Sequence, residues 1–331
     1  MTKRVLVTDH AWPLDIEREV LAEVDAELLV AEQGEEDELI RLAREADAIL
    51  TNWRKVPMAA LDIAPRCLIV SRYGIGVDNI PVEHATRLGI LVTNVPDFCI
   101  DEVSDHAMAL VLCCARRIAQ FDRATSSGVW DLAAVAPGMS RLRGQTLGLV
   151  GYGRLARAVA AKAIAFGLLS VLAFTPRLEP GEISVGVRGT NDLEQVVREA
   201  DYLSLHAPAT SETRNMINER MLRLMKPTAY LVNTSRGALV DEEALRLALR
   251  EKWIAGAALD VLALEPAPPE HPLLELENVV VTPHASFYSK EAIIDLARRA
   301  AQHVAQVFRG VVPPNVVNPE MLTEPSYRLG V

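Results

Sequence analysis

The chain has 331 residues, half of them hydrophobic, and a formal net charge of −10. That length exceeds what one hydrophobic core usually organises, so two domains are expected, and the apolar half excludes a disordered chain. The acidic balance, with no Lys/Arg block to offset it, argues against nucleic acid or an anionic membrane as a partner.

At the N-terminus, MTKRVLVTDHAW holds an apolar run only at 5–7, far short of a secretory h-region. The longest uncharged apolar run, 107–115, is too short for a bilayer, which takes about 20 residues as a helix. Cys67, Cys99, Cys113 and Cys114 form no C-x-x-C pair, and no clustered ligands suggest a metal. A reduced, cytoplasmic protein is the expectation.

Short aliphatic runs alternate with segments of helical period, the pattern of α/β units around a parallel sheet. Strands are expected at 5–7, 28–30, 48–50, 68–70 and 90–92, with helical stretches such as 37–46 between them. After a helix over 101–119 the alternation resumes, with strands at 146–150, 171–174, 203–205, 230–232, 257–259 and 279–281. Six strands make a full dinucleotide-binding sheet. A last helix over 291–308 runs into 311-VVPPNVVNP-319, whose prolines exclude helix. The fold class is α/β: two Rossmann-like doubly wound parallel-sheet domains with a cleft between them. Composition leaves open which domain receives the last helix.

In 146-TLGLVGYGRLARAVAAKAIAFG-167 a strand meets Gly151-Tyr152-Gly153-Arg154-Leu155-Ala156 and then an Ala-rich helix. Gly151 permits the tight turn, Gly153 lets backbone N–H groups approach a pyrophosphate, and Ala156 allows close helix–strand packing. The helix N-terminus adds partial positive charge. The next strand ends at Phe174, so Thr175 stands where an acid normally holds the adenosine ribose, and Arg177 follows two residues on. NAD(H) or NADP(H) is the expected cofactor, with Thr175 and Arg177 favouring tolerance of a 2′-phosphate. The alternative reading leaves Arg177 a solvated charge and Thr175 neutral toward both cofactors.

Ligands of open α/β sheets sit beyond the carboxyl ends of the strands, where this chain places Gly151, Thr175, His206, Arg236, Asp260 with Glu265, and His284. Arg236, in 233-NTSRG-237, offers a planar fork for a carboxylate and a neighbouring carbonyl. His284 is a natural proton shuttle, and Glu265 can hold its other ring N–H. Singly, Arg236 could pair with Asp241 or Glu242, His284 could cap the next helix and Glu265 could be a solvated acid. Their coincidence at the strand ends of one sheet favours a catalytic set. His10, His84, His106, His271 and His303 have no comparable setting and read as surface or helix residues.

Together Gly151-Tyr152-Gly153, 233-NTSRG-237, 258-ALDV-261 with Glu265-Pro266, and 282-TPH-284 resemble the D-isomer specific 2-hydroxyacid dehydrogenases. The resemblance covers nearly the whole chain. It implies a discontinuous substrate domain, 1–98 plus 293–331, around a dinucleotide-binding domain, 99–292, and a homodimer held largely by the latter. It also implies hydride transfer between nicotinamide and C2 of a small D-2-hydroxy or 2-keto acid, with Arg236 on the substrate, His284 as general acid/base and Glu265 orienting it. The loop 72-RYGIGVDNI-80 matches the family's substrate loop, where Ile75 and Gly76 would grip the carboxylate, with Arg72, Asn52 and Phe287 nearby. The residues expected to line the dinucleotide are Gly151, Gly153, Arg154, Leu155, Thr175, Arg177, His206, Thr213, Thr234 and Asp260. More narrowly, 97-DFCIDEVSDHAMAL-110 and 284-HASFYSKEA-292 resemble the C-terminal binding protein branch, although Phe287 stands where that branch has Trp. Two rivals follow: a cofactor-sensing binding module of the corepressor type, and a 3-phosphoglycerate dehydrogenase using Arg54 and Arg72 for the phosphate.

Overall fold

The computed structural model describes residues 2–168, 170–177 and 179–323. The chain divides into two compact units, one made of the residues up to Phe98 and those from Ser289 onward, the other of Cys99–Tyr288.

The first unit is built on β1 (Lys3–Val7), β2 (Ala26–Val30), β3 (Ala48–Thr51), β4 (Ile69–Arg72) and β5 (Leu91–Thr93), parallel throughout and ordered β2-β1-β3-β4-β5. Every residue of β3 is buried, as a central strand between two helical layers must be. Helix Lys290–Phe308 begins where the Ser289 hydroxyl accepts from the Ala292 N–H at 2.9 Å. It packs on helix Asp15–Ala22 and on β4, where Ser71 Oγ donates to Ala300 O at 3.0 Å. Composition left its placement open; the contacts place it in the first unit. Position 292/293 lies within its first turn, and the unit boundary lies at its cap.

The proline-containing tail then runs along the edge of the sheet. Val317 N–H donates to Val92 O at 2.8 Å, and Val316 bridges Thr93 in antiparallel sense. Asn318, wholly buried, accepts from Val92 N–H at 2.8 Å and donates to Thr86 Oγ1 and Ile90 O. The exposed edge of β5 is thereby covered. Residues 324–331 of the expected tail lie outside the described residues.

The second unit carries an eight-stranded sheet: β6 (Thr146–Val150), β7 (Ser170–Phe174), β8 (Gly181–Ser184), β9 (Val187–Thr190), β10 (Tyr202–Leu205), β11 (Tyr230–Asn233), β12 (Gly256–Leu259) and β13 (Val279–Val281). Its order is β13-β12-β11-β10-β6-β7-β9-β8, parallel except for β8, which forms a hairpin with β9. Six strands were expected, and the hairpin adds two. Its sequence, GEISVGVRGT, is glycine-rich and β8 is largely exposed, so it lacks an apolar run.

Leu147, Leu149, Val232 and Ala258 pack against helices Ile100–Arg116 and Arg154–Ala165 on one face. Leu203, Leu205, Leu231 and Leu259 pack against helices Leu193–Glu199, Glu219–Leu224 and Glu242–Arg250 on the other. The expected single helix over 101–119 breaks at Arg117, which takes a left-handed conformation (φ 54°) and sets its guanidinium 5.0 Å from the Tyr230 ring centre. A second helix, Ile118–Ser126, follows.

Candidate active site

The strand order reverses between β6 and β10, and the glycine turn lies there. Gly151 has φ +99°, and a Cβ on it would fall 2.8 Å from the His206 carbonyl. The two strand-end turns therefore touch backbone to backbone. Gly153 is different: its backbone is extended, and a Cβ there would meet nothing within 4 Å. The protein's own packing does not demand this glycine; a ligand brought against the backbone would. Helix Arg154–Ala165, which contains Leu155, starts with no side-chain cap and no acid in its first turn, leaving N–H groups and the positive dipole end for an anion. Ala156, fully buried, packs that helix on the sheet.

Thr234, on the turn after β11, has its hydroxyl buried with no hydrogen-bond partner among the described residues. A buried orphan hydroxyl is a place for a ligand's polar group. With the open space at Gly153 and the uncapped helix, it fits a dinucleotide. His206 bonds Ser204 Oγ through Nε2 at 2.9 Å, and burial pushes its pKa down to about 4, so its ring is neutral at physiological pH. Thr175 Oγ1 accepts the Arg177 N–H at 3.3 Å, and Arg177 is exposed. The Thr213 hydroxyl donates to Pro208 O at 2.6 Å and accepts from Thr210 N–H at 2.8 Å, bonds that hold its own loop.

At the end of β11, Asn233 is buried and braces the turn it opens. Its Oδ1 accepts from Ser235 N–H at 3.0 Å and its Nδ2 donates to Arg236 O at 2.9 Å. Ser235 Oγ ties the turn to Ala207 O, and Arg236 Nη1 donates to Ser235 O, both at 2.7 Å. Gly237 then meets the loop after β12. A Cβ on it would lie 2.0 Å from Leu262 C and 2.4 Å from Ala263 N, with no positive φ involved. Close approach is its reason, and it sets Arg236 beside the loop that carries Glu265.

That loop turns back so that Glu265 Oε1 accepts from Leu262 N–H at 2.8 Å while Oε2 lies 2.7 Å from His284 Nδ1. An ionised carboxylate only accepts, so Nδ1 carries the shared proton and Nε2 is left for exchange. Both side chains keep partial solvent access, at 27% and 34%. His284 sits at φ 52°, a left-handed conformation that costs a non-glycine residue about 1–3 kcal/mol. Its N–H is held by Asp260 O at 2.8 Å and Thr282 O at 3.0 Å. Asp260, 1% exposed, accepts from Thr282 Oγ1, Ala285 N–H and Ser286 N–H. Phe287 stands edge-on to His284, ring centres 6.2 Å apart.

In the first unit, Asn52 at the end of β3 is buried. Its Oδ1 accepts from Arg72 Nη1 at 3.2 Å, and its Nδ2 has no partner among the described residues. Arg72 also bonds Tyr73 O, and Arg54 bonds Gln33 O. In the glycine loop, Ile75 O accepts from Asn94 Nδ2 at 2.7 Å. The N–H groups of Ile75 and Gly76 meet no protein acceptor among the described residues. One residue near the site escaped the sequence reading: His106, whose Nε2 reaches Thr282 Oγ1 at 3.0 Å across 176 positions of chain.

Residues 108–286 match the family model of the D-isomer specific 2-hydroxyacid dehydrogenase NAD binding domain. The glyoxylate reductase of Korarchaeum cryptofilum is 42% identical over 287 residues, 86% of each chain. An NADPH-dependent glyoxylate/hydroxypyruvate reductase from Sinorhizobium meliloti, solved with NADP and malonate, superposes with a TM-score of 0.83 at 30% identity, covering 96% of this chain and 97% of its own. A D-lactate dehydrogenase from Aquifex aeolicus, solved with NAD and lactic acid, gives 0.84 at 26%, covering 95% and 99%.

Proposed function

Since the chain belongs to the D-isomer specific 2-hydroxyacid dehydrogenase family, and is an NAD(P)-dependent oxidoreductase of D-2-hydroxy acids, we propose that it reduces glyoxylate and similarly small 2-keto acids. The observation that carries the reading is the His284–Glu265 pair at 2.7 Å, with Arg236 on a turn that Gly237 presses against the Glu265 loop.

Gly151, Gly153, the first turn of helix Arg154–Ala165 and Thr234 would hold the nicotinamide cofactor, which would supply or accept the hydride exchanged with C2. Arg236 binds the substrate carboxylate and stabilises negative charge developing on the C2 oxygen. His284 Nε2 gives that oxygen its proton in reduction and recovers it in oxidation, while Glu265 fixes the ring and stabilises the imidazolium. Within the first unit, the Ile75 and Gly76 N–H groups and Asn52 Nδ2 are donors that an anion such as a carboxylate would find.

We assign the cofactor preference to Thr175 and Arg177: the position after β7 holds no carboxylate to repel a 2′-phosphate, so NADPH is accepted along with NADH. A homodimer is supported by the exposed Val129, Trp130 and Leu132, with Trp130 at 90%, a patch that association would cover. The glyoxylate reductase relatives and the complete Arg, Glu and His set support an enzyme over a corepressor-type binding module. The internal engagement of Arg54 and Arg72 counts against a phosphorylated substrate.

The test is a panel of glyoxylate, pyruvate, hydroxypyruvate and phenylpyruvate with each cofactor, repeated with His284→Gln. Glyoxylate is expected to give the highest kcat/KM, and the variant to lose about 10²–10⁴ in kcat while binding cofactor normally. Full activity in that variant sinks the assignment.

A further inference from the structure

A chain of side chains that no proposed catalytic step uses reaches the His284 loop from helix Ile100–Arg116. His106 Nε2 lies 3.0 Å from Thr282 Oγ1 and 3.6 Å from Asp260 Oδ1. Thr282 has one hydroxyl proton, and the Asp260 carboxylate takes it at 2.5 Å. The Thr282 oxygen is therefore the acceptor and the His106 Nε2–H its donor. A neutral ring carries its proton on that nitrogen, and a protonated ring donates there as well.

We propose that His106 is a positioning residue for the general acid/base: through Thr282 and Asp260 it holds the 282–286 turn in the conformation that aims His284 at Glu265. The inference rests on the assignment of His284 as that acid/base. The two residues His106 approaches are the same two whose carbonyls hold the left-handed His284 N–H. Asp260 further binds the amides of Ala285 and Ser286, on the other side of His284. His106 thus braces the turn from outside, at the one hydroxyl that links it to the buried carboxylate. A donor lost there frees Thr282 to rotate and leaves Asp260 with a weaker grip. Displacing a reacting group by about 1 Å can lower a rate on the order of 10²-fold.

The His106–Thr282 bond also joins two special segments. Helix Ile100–Arg116 follows the point where the chain leaves the first unit, and the His284 turn precedes the point where it returns.

The test compares His106→Leu, His106→Gln, Thr282→Val and His284→Gln in the full chain. It reads kcat and KM for glyoxylate at saturating NADPH, with NADPH affinity by fluorescence titration. His106→Leu and Thr282→Val are expected to lose about 10- to 100-fold in kcat with cofactor affinity held within about twofold. His106→Gln, whose amide N–H replaces the ring donor, is expected to recover most of the loss. Wild-type kcat in His106→Leu overturns the proposal, as does a Gln variant no better than the Leu variant. If His106→Leu does not fold, an unchanged kcat in Thr282→Val overturns it. His284→Gln separates the two readings: inactive His284→Gln beside normal His106→Leu removes only the positioning role, whereas active His284→Gln removes the acid/base assignment itself.

Discussion

A methyl group on Gly237 would have to occupy space already filled by the Leu262 and Ala263 backbone, the nearest atom 2.0 Å away. Gly237→Ala is therefore expected to lower the melting temperature by more than an ordinary overpacking change of about 1–3 kcal/mol, and kcat with it, because relief requires parting the Arg236 turn from the Glu265 loop. Thermal denaturation beside steady-state kinetics checks this, and a normal melting temperature contradicts it. Elsewhere two buried imidazoles contribute to acid stability. Burial, helped by the charge of Arg299, pushes the pKa of His303 from 6.5 down to about 4. Between those values the unfolded chain binds a proton the folded one refuses, so stability is full above about 6.5, falls as pH drops towards 4 and levels below it. His206 adds to the same window. Replacing His303 by Leu should flatten the part of the urea-midpoint profile between pH 4 and 6.5 that His303 contributes. As candidates, Arg236, Glu265 and His284 could be picked out because ligands of open α/β sheets sit by rule beyond the strand ends, and the structure brings Glu265 to His284. His106 and the close approach at Gly237 were not, since each is defined by a partner far along the chain.

Elements carried most of the readable signal. The Gly151 turn and the Ala-rich helix behind it announced themselves because strand, glycine spacing and helix each need particular residue types in order. The β8–β9 hairpin announced nothing: exposed on one strand and rich in glycine, it relies on pairing with β7 rather than on an apolar pattern of its own. At the end of β7 the proposed choice between NADH and NADPH can be probed at Thr175. Thr175→Asp restores the carboxylate that grips a ribose and repels a 2′-phosphate, so the ratio of kcat/KM for NADPH to that for NADH is expected to fall about tenfold or more, chiefly through the NADPH KM. An unchanged ratio would mean that cofactor choice is made elsewhere. The long helix expected over 101–119 shows the opposite failure: its hydrophobic period continues, yet Arg117 turns left-handed to stack on Tyr230, a tertiary contact that no local pattern encodes.

For the whole molecule, the number of sheets and the α/β class follow from length and alternation, whereas the home of the last helix does not follow from composition. Contacts such as Ser71 to Ala300 decide it, and 229 positions separate those two residues. Asn318 closes the same unit. Its replacement by Ala would strand the Val92 N–H and the Ile90 carbonyl on the β5 edge, a loss of about 1–3 kcal/mol for each buried group left unpaired. Denaturant titration should show the first unit weakened, and an unaltered midpoint would count against that role.

The order of synthesis gives this layout a direction. A ribosome releases the strands of the first unit before any of the second, yet their closing helix and edge-covering tail lie beyond Ser289. The second unit is complete in the nascent chain while the first still exposes its sheet. The domain begun first is thus finished last, and during that interval the edge of β5 lacks the pairing that Val316, Val317 and Asn318 later supply.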